Sequence, residues 1–235
     1  MSGIVWLHRE GELVAVDKPA GEPVIAARGE PREACLVRRA EAALGQRLFV
    51  VHRLDRDTSG VVLFARTAEG HRFLSRAFEA RQVSKAYVAF TAGLLEPPLG
   101  RIDLALHPAR RGKSRPAEPG EPGQQDAVTD YAVERVWRRS QGAVSRVALR
   151  PVTGRHHQIR VHLRARGAPI LFDRHYGRGL GETLGDAPCQ RLALHALRLD
   201  VPRPEGPPLE IEAPLAPDLR RLEDWLDAAS GSARV

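Results

Sequence analysis

The sequence His-Arg-Leu-Asp-Arg-Asp-Thr-Ser-Gly-Val at residues 52–61 is the most informative stretch of the chain. It places a carboxylate, Asp55, among arginine and hydroxyl side chains, between two apolar runs at residues 48–51 and 61–65. Such runs predict strands, and a tight Thr-Ser-Gly turn between strands holds its side chains in fixed positions. An aspartate between two arginines is expected to stay ionised. The segment therefore predicts either a catalytic carboxylate or a charged turn with a capping aspartate.

The composition indicates a globular protein with a polyanionic partner. The chain has 235 residues, 43% of them hydrophobic, which is enough to bury a core in one large domain or two small ones. Its 36 Lys and Arg residues outnumber 29 Asp and Glu residues, for a formal charge of +7. Only Lys18, Lys85 and Lys113 are lysines, so the positive charge is almost all guanidinium, which binds phosphate in a bidentate manner. This bias fits a nucleic acid partner, and it equally fits a GC-rich coding sequence.

Cysteine usage and the N-terminus indicate a soluble cytoplasmic protein. The two cysteines, Cys35 and Cys189, have no metal-ligand spacing, so we expect reduced, buried thiols and no zinc site. The first residues lack the charged start and apolar run of a signal peptide, and no stretch approaches the roughly 20 apolar residues of a membrane span. We therefore expect no membrane partner.

The order of predicted elements favours an α+β fold. Short apolar runs between turns predict strands at residues 4–7, 13–16, 86–90, 102–106, 128–137, 144–149, 192–201 and 209–213. Helix formers with plausible caps predict helices at residues 31–44, 153–167 and 215–226, and a helix, the second in chain order, that begins after Thr67 and includes residues 73–78. Within the second helix, which Thr67 should cap, we expect one buried face of Phe73, Leu74, Ala77 and Phe78. Because strands and helices do not alternate regularly, we expect a largely antiparallel or mixed sheet.

Two further segments are predicted to lie outside these elements. Residues 110–125 are rich in Pro and Gly and nearly without apolar side chains, which predicts a long surface loop. Its first half carries Arg110, Arg111, Lys113 and Arg115, a patch that suits either RNA phosphates or simple solvation. The last residues, 230–235, are expected to fray.

Five segments, in this order along the chain, resemble a known family: residues 17–21 (Asp-Lys-Pro-Ala-Gly), 52–60, 85–87 (Lys-Ala-Tyr), 153–163 (Thr-Gly-Arg-His-His-Gln-Ile-Arg-Val-His-Leu) and 192–196 (Leu-Ala-Leu-His-Ala). The chain resembles the RluA-like RNA pseudouridine synthases over nearly its whole length. The resemblance implies a single α+β catalytic domain at residues 1–229, with a mixed, largely antiparallel sheet bent into two halves, flanking helices and a cleft across the middle. It also implies a stand-alone form that lacks the small N-terminal RNA-binding domain of many members.

The chemistry implied by the resemblance is the isomerisation of uridine to pseudouridine in RNA, which needs no redox step, no energy source and no cofactor. Asp55 matches the catalytic carboxylate, acting as nucleophile at sugar or base or as a stabiliser of positive character on the ribose. Arg160 matches the arginine that lies near this carboxylate and directs it. Tyr87 matches a tyrosine that stacks on the uracil, although a half-buried strand tyrosine is the simpler interpretation of Tyr87 alone.

Four further residues are candidates for substrate binding. Because a base inside structured RNA has to be flipped out, Arg53 is expected to fill the vacated stack or hold the flipped nucleotide, with a structural ion pair as the alternative. Ile159 and Leu194 are expected to supply an apolar floor, and Lys85 is assigned to substrate binding from its motif. Segments 22–29 and 178–187 match no family pattern and are expected to govern substrate choice.

The expected partner is structured ribosomal or transfer RNA, bound by a monomer without metal. One alternative is a non-catalytic RNA-binding module, for which the basic charge suffices, although 5% aromatic residues offer few stacking platforms. Another is a metal-dependent RNA hydrolase with a cluster of His156, His157, His162, His175, His195 and Asp173. Against it, no histidine pair has the helical i, i+4 spacing of metal ligands.

Overall fold

A computed structural model describes residues 3–27, 29–139, 142–177, 184–203, 206–228 and 232–234. The chain divides into two compact units. The first unit contains Met1–Lys85 and His195–Ala216, and the second contains Ala86–Leu194 and Pro217–Val235.

Strands and helices are intermixed along the chain. The described helices are α1 (Leu36–Leu44), α2 (Ala68–Glu79), α3 (Gln158–Ala165) and α4 (Pro217–Ala228). The described strands are β1 (Trp6–His8), β2 (Leu13–Lys18), β3 (Phe49–Val50), β4 (Ser59–Ala65), β5 (Ser84–Ala92), β6 (Leu99–Asp103), β7 (Leu106–Ala109), β8 (Lys113–Pro116), β9 (Val128–Arg139), β10 (Gly142–Pro151), β11 (Leu194–Val201), β12 (Leu209–Glu212) and β13 (Ser232–Arg234). Single 3-10 turns lie at Arg32–Ala34 and Arg110–Gly112.

The sheet of the first unit contains one parallel pairing among antiparallel ones. Strand β2 pairs antiparallel with β1 and β4, β3 pairs antiparallel with β4, and β12 pairs antiparallel with β11. Strands β4 and β11 run parallel, with Ser59 opposite His195 and Gly60 opposite Ala196. Gly60 has φ +114, and a Cβ there would lie 2.1 Å from the carbonyl oxygen of Ala196. Only glycine therefore permits this approach of the two strands.

Helix α2 covers the core of the first unit. Its Leu74 and Ala77 are 2% exposed and pack against buried side chains of β4, β11 and β12. The hydroxyl of Thr67 accepts a hydrogen bond from the backbone N–H of Gly70 at 3.0 Å, so the predicted N-cap is confirmed. Phe73 is 37% exposed, and its predicted place on the buried face is wrong because the buried stripe passes through its neighbour Leu74.

The second unit has an antiparallel sheet and a separate hairpin. Strand β10 pairs with β5 and β9, and β9 also pairs with β6 and β13. Strands β7 and β8 form a two-stranded hairpin of their own. Helix α4, which lies within the helix predicted from residue 215 onward, buries Leu219, Leu222 and Leu226 completely. Its Asp227 accepts a hydrogen bond from the indole N–H of the buried Trp137 in β9 at 2.6 Å.

The predicted α+β class with a mixed, largely antiparallel sheet is confirmed. Strands β11 and β12 lie within the predicted strands 192–201 and 209–213 and pair antiparallel, and α1 ends at Gly45, which takes the left-handed conformation. Three boundaries are wrong. Residues 31–35 are not part of α1, α3 starts at Gln158 rather than at residue 153, and the predicted loop at 110–125 contains β8. Residues 232–234, within the tail expected to fray, form β13, whereas 230, 231 and 235 lie outside the described residues.

Candidate active site

Asp55 lies on a β-turn that leads into β4. The backbone N–H of Thr58 donates to the carbonyl oxygen of Asp55 at 3.2 Å, which closes a turn over residues 55–58. Asp55 is half-buried, and Arg53 is exposed. The predicted Thr-Ser-Gly turn is wrong, because Ser59 and Gly60 already belong to β4. The turn instead begins at Asp55 itself, so the carboxylate sits where the chain changes direction.

Lys18 holds this turn from one side. Its side chain is completely buried, and its ammonium donates to the carbonyl oxygens of Pro19 at 2.9 Å, Glu22 at 2.7 Å and Arg56 at 2.8 Å. The N–H of Gly21 donates to the same Arg56 oxygen at 2.9 Å. Three charge-assisted hydrogen bonds to backbone carbonyls fix the segment 17–22 against the residue that follows Asp55.

His52 holds the other side of the turn. Its Nε2 accepts a hydrogen bond from the backbone N–H of Leu63 in β4 at 2.9 Å, and its ring stacks on Phe78 with centroids 4.9 Å apart. Burial, with a smaller contribution from the charge of Lys85, lowers the pKa of His52 to about 4. His52 is therefore neutral at pH 7, with its proton on Nδ1. His52 therefore has a structural role: it anchors the segment three residues before Asp55 to β4.

Lys85 and His195 complete the description of the first unit. Burial and the nearby charge of Arg81 lower the pKa of Lys85 to about 8, so its ammonium titrates just above neutral pH. His195 is fully buried; its Nδ1 lies 2.9 Å from the hydroxyl oxygen of Ser59, and its Nε2 lies 3.4 Å from the carbonyl oxygen of Ala213. The histidine of the 192–196 motif thus connects β4, β11 and the segment after β12.

In the second unit, Arg160 is held by Asp173. Its Nε and one terminal nitrogen each donate to the Asp173 carboxylate at 2.8 Å, and both side chains are buried. One Asp173 oxygen also accepts from the backbone N–H groups of His175 and Tyr176. Burial raises the pKa of Asp173, but the hydrogen bonds and charge of Arg160 and these N–H groups lower it further, so the net pKa is depressed. Arg160 therefore presents a fixed, permanently charged guanidinium.

Tyr176 joins this ion pair to the β7–β8 hairpin. The Arg160 guanidinium lies 5.1 Å from the centroid of the Tyr176 ring. The Tyr176 hydroxyl accepts from the backbone N–H of Ser114 at 2.8 Å and donates to the Ser114 carbonyl oxygen at 3.1 Å. It also lies 2.9 Å from Nδ1 of His157, the residue before α3. Neither Asp173 nor Tyr176 stands out in the sequence as a partner of Arg160, because both follow the matched motif at 153–163.

The remaining predicted residues lie on strands and a helix, in the second unit. Tyr87 is half-buried in β5 opposite Leu149 of β10, whereas Ile159 and Leu194 are 7% and 4% exposed. The expected proximity of Arg160 to Asp55 involves residues of different units and stays a prediction. Of the segments expected to govern substrate choice, Arg28 and residues 178–183 lie outside the described residues.

Three of the six residues proposed as metal ligands contact other protein groups in the structure. His162 has Nδ1 at 3.0 Å from the Thr129 hydroxyl oxygen and Nε2 at 3.0 Å from the Leu104 carbonyl oxygen. Both ring nitrogens of His195 contact protein groups in the same way, and Asp173 binds Arg160. These contacts speak against His162, His195 and Asp173 as ligands of the six-residue cluster proposed from the sequence.

Comparison with known proteins decides the family. A family model described as RNA pseudouridylate synthase matches residues 12–165. The chain belongs to the RNA pseudouridylate synthase family. The synthase is 36% identical, over 216 residues that cover 90% of its chain and 93% of the relative, to the dual-specificity RNA pseudouridine synthase RluA of Escherichia coli strain K12. The resemblance to RluA-like synthases is therefore confirmed.

A second relative and a solved structure support the assignment. The synthase is 35% identical to the ribosomal large subunit pseudouridine synthase D of Xanthomonas campestris, over 97% of its chain and 70% of that relative. It is similar to the human RNA pseudouridylate synthase domain containing 4, with a TM-score of 0.72, 29% identity and coverage of 94% and 93% of the two chains. The synthase is thus an isomerase that converts uridine in RNA to pseudouridine. No described helix has the length and apolar content needed to cross a bilayer.

Proposed function

We propose that the synthase modifies uridines of structured ribosomal or transfer RNA, with Asp55 as its catalytic carboxylate. The observation that carries the proposal is the way in which neighbouring residues hold the backbone turn that contains Asp55. A half-buried carboxylate stands on a turn that Lys18 fixes through the Arg56 carbonyl and that His52 ties to β4. These contacts fix the backbone that carries the carboxylate, which supports the placement that a reacting group requires. The names of the two relatives, one of dual specificity and one acting on the large ribosomal subunit, support these RNA classes.

The proposed reaction breaks the bond between N1 of uracil and C1′ of ribose and forms a bond from C1′ to C5. The C5 hydrogen leaves to water and N1 gains a proton, so no oxidant or energy source is consumed. Asp55 acts as the nucleophile, at the sugar or at the base, or stabilises positive character on the ribose. Arg160 contributes a fixed positive charge, and Tyr87 a flat wall for the detached ring.

Binding of the flipped nucleotide is assigned to four further residues. Arg53 holds the flipped nucleotide or fills the vacated stack, and Lys85 binds phosphate in its protonated state. Ile159 and Leu194 supply apolar surface beneath the base. Because these residues come from both units, we propose that residues 1–229 act as one catalytic domain. We further propose that it works as a soluble cytoplasmic monomer without metal or cofactor.

The test is release of tritium from RNA labelled at C5 of uridine, without added metal or nucleotide. Unmodified transfer RNA and large-subunit ribosomal RNA are assayed separately with the wild type, Asp55→Ala and Asp57→Ala. Asp57 is an exposed carboxylate of the same turn, so its variant controls for loss of charge. We expect release by the wild type and Asp57→Ala, and a loss of several orders of magnitude in Asp55→Ala.

Other outcomes overturn defined parts of the proposal. RNA binding without release by the wild type, on both RNA classes, contradicts the activity and favours a binding module. Equal loss in Asp55→Ala and Asp57→Ala contradicts the role of Asp55. Arg160→Ala should lose about 100-fold or more in turnover, and Arg160→Lys should recover little because Lys cannot form the bidentate pair with Asp173.

A further inference from the structure

Two histidine rings are stacked directly before helix α3. The centroids of His156 and His157 lie 3.7 Å apart, with an angle of 24° between the rings. His157 is half-buried, whereas His156 is exposed, so His156 forms the solvent side of the stack. The stacking on His157 already restricts the orientation of the His156 ring. Binding of a further aromatic ring therefore costs little additional conformational entropy.

Contacts from two other segments fix this stack. The Tyr176 hydroxyl donates to the Ser114 carbonyl oxygen, so Nδ1 of His157 is the donor in the 2.9 Å contact with that hydroxyl. Tyr176 also meets the His157 ring edge-on, at 86° and 5.5 Å between centroids. Nδ1 of His156 lies 3.1 Å from the hydroxyl oxygen of Ser114. Each histidine therefore has one ring nitrogen in contact with a group outside α3.

Two basic residues are sequence neighbours of His156 and of its partner Ser114. Arg155 precedes His156 in the chain; its Nε donates to the Asp126 carbonyl oxygen at 3.0 Å, and its side chain is exposed. Lys113 precedes Ser114 in the β7–β8 hairpin and is half-buried. A flat exposed ring with basic residues next to it in the chain and next to its partner Ser114 suits a nucleotide, whose base presents a π-face and whose phosphate is an anion.

We propose that His156 is a platform on which a base of the RNA substrate stacks. The proposal rests on the RNA-modifying function above and adds a binding residue outside the predicted set. Stacking on His156 would accept any of the four bases, since every base has a π-face. His156 would contribute to the affinity for RNA.

The test compares RNA affinity and turnover in variants of the full chain. Filter binding with unmodified transfer RNA and large-subunit ribosomal RNA, at several salt concentrations, is applied to the wild type, His156→Ala, His156→Phe and Arg155→Ala. We expect His156→Ala to bind about 5- to 10-fold more weakly on the RNA that uses the platform, and His156→Phe to bind within about twofold of the wild type. The KM for RNA should rise by a similar factor in His156→Ala and stay within about twofold of the wild type in His156→Phe.

Salt dependence separates stacking from charge. Loss of a stacking contact leaves the slope of log affinity against log salt unchanged, whereas Arg155→Ala should lower that slope by about one phosphate contact. Equal losses in His156→Ala and His156→Phe, or unchanged affinity in His156→Ala, would overturn the platform. Either result would refute the platform even if the wild type releases tritium. Absence of tritium release by the wild type would instead refute the proposed function.

Discussion

The buried Lys18 offers the sharpest test of how the Asp55 turn is held. Replacement by Met keeps most of the apolar stem and removes the ammonium that donates to Pro19, Glu22 and Arg56. The Arg56 oxygen retains the Gly21 N–H as a donor. The other two carbonyls lose a charge-assisted hydrogen bond, for which single deletions cost roughly 1.5–3 kcal/mol each.

The expected net loss is smaller than the sum of these costs. Pro19 is exposed and Glu22 half-buried, so water reaches the freed carbonyls, and removing a buried ammonium recovers part of its desolvation cost. We therefore expect Lys18→Met to lower the free energy of unfolding by about 2–3 kcal/mol, leaving the protein folded at 25 °C. Because the turn is loosened, turnover should fall while RNA affinity changes little.

Urea unfolding followed by circular dichroism measures the first effect, and tritium release from labelled RNA measures the second. Lys113→Met is the matched control for stability, since Lys113 lies half-buried on the β7–β8 hairpin. A loss below about 0.5 kcal/mol in Lys18→Met, with wild-type turnover, would refute the reasoning.

The remaining predictions concern backbone packing and pH. Gly60→Ala places a methyl group 2.1 Å from the Ala196 carbonyl oxygen at φ +114, so we expect several kcal/mol of destabilisation and little folded protein, whereas Gly112→Ala, where the added Cβ meets open space, should cost far less. The pKa of His52 is depressed to about 4, so the unfolded chain binds its proton more readily. The unfolding free energy should therefore fall by up to about 3 kcal/mol between pH 6.5 and 4, and His52→Gln should flatten that dependence in urea titrations. An equally steep dependence in His52→Gln would contradict this assignment.

Lys85 gives a second pH dependence, in binding. Its depressed pKa of about 8 means that the ammonium is lost as pH rises through 8. RNA affinity should therefore decline over that range, and Lys85→Met should show low affinity with no such decline in filter binding. A wild-type affinity constant from pH 7 to 9 would argue against phosphate binding by Lys85.

Local signals in the sequence predicted much of the fold. The hydroxyl of Thr67 and the glycine at position 45 act on their own helices, so both helix ends could be read from neighbouring residues. The start of α3 could not. The Thr153 hydroxyl donates to the Gln158 side chain and accepts from the backbone of Val128, and His157 begins the helix with φ +56. The Thr153 hydroxyl, which the sequence pattern assigns to capping of α3, instead binds Val128 of the distant strand β9.

In the candidate site, too, local motifs could be recognised from the sequence, whereas contacts between distant segments could not. Asp55, Tyr87 and Arg160 stay predictions from the motifs, whereas the long-range contacts around Asp55 and Arg160 could not be predicted. Lys18 reaches Arg56 across 38 residues, and His195 reaches Ser59 across 136 residues. Such contacts depend on strand pairing and register, which the motifs do not encode. Asp173, considered from the sequence only as a metal ligand, instead holds Arg160.

The most direct test of the central claim is the amount of pseudouridine formed in RNA by excess enzyme in one turnover. Wild type and Asp55→Asn, which keeps the shape of the side chain and removes its charge, are incubated with unmodified transfer or ribosomal RNA. The RNA is then digested and its nucleosides are quantified. We predict stoichiometric pseudouridine with the wild type and none with Asp55→Asn, which should still bind RNA. Comparable formation by both proteins would contradict a catalytic role for the Asp55 carboxylate.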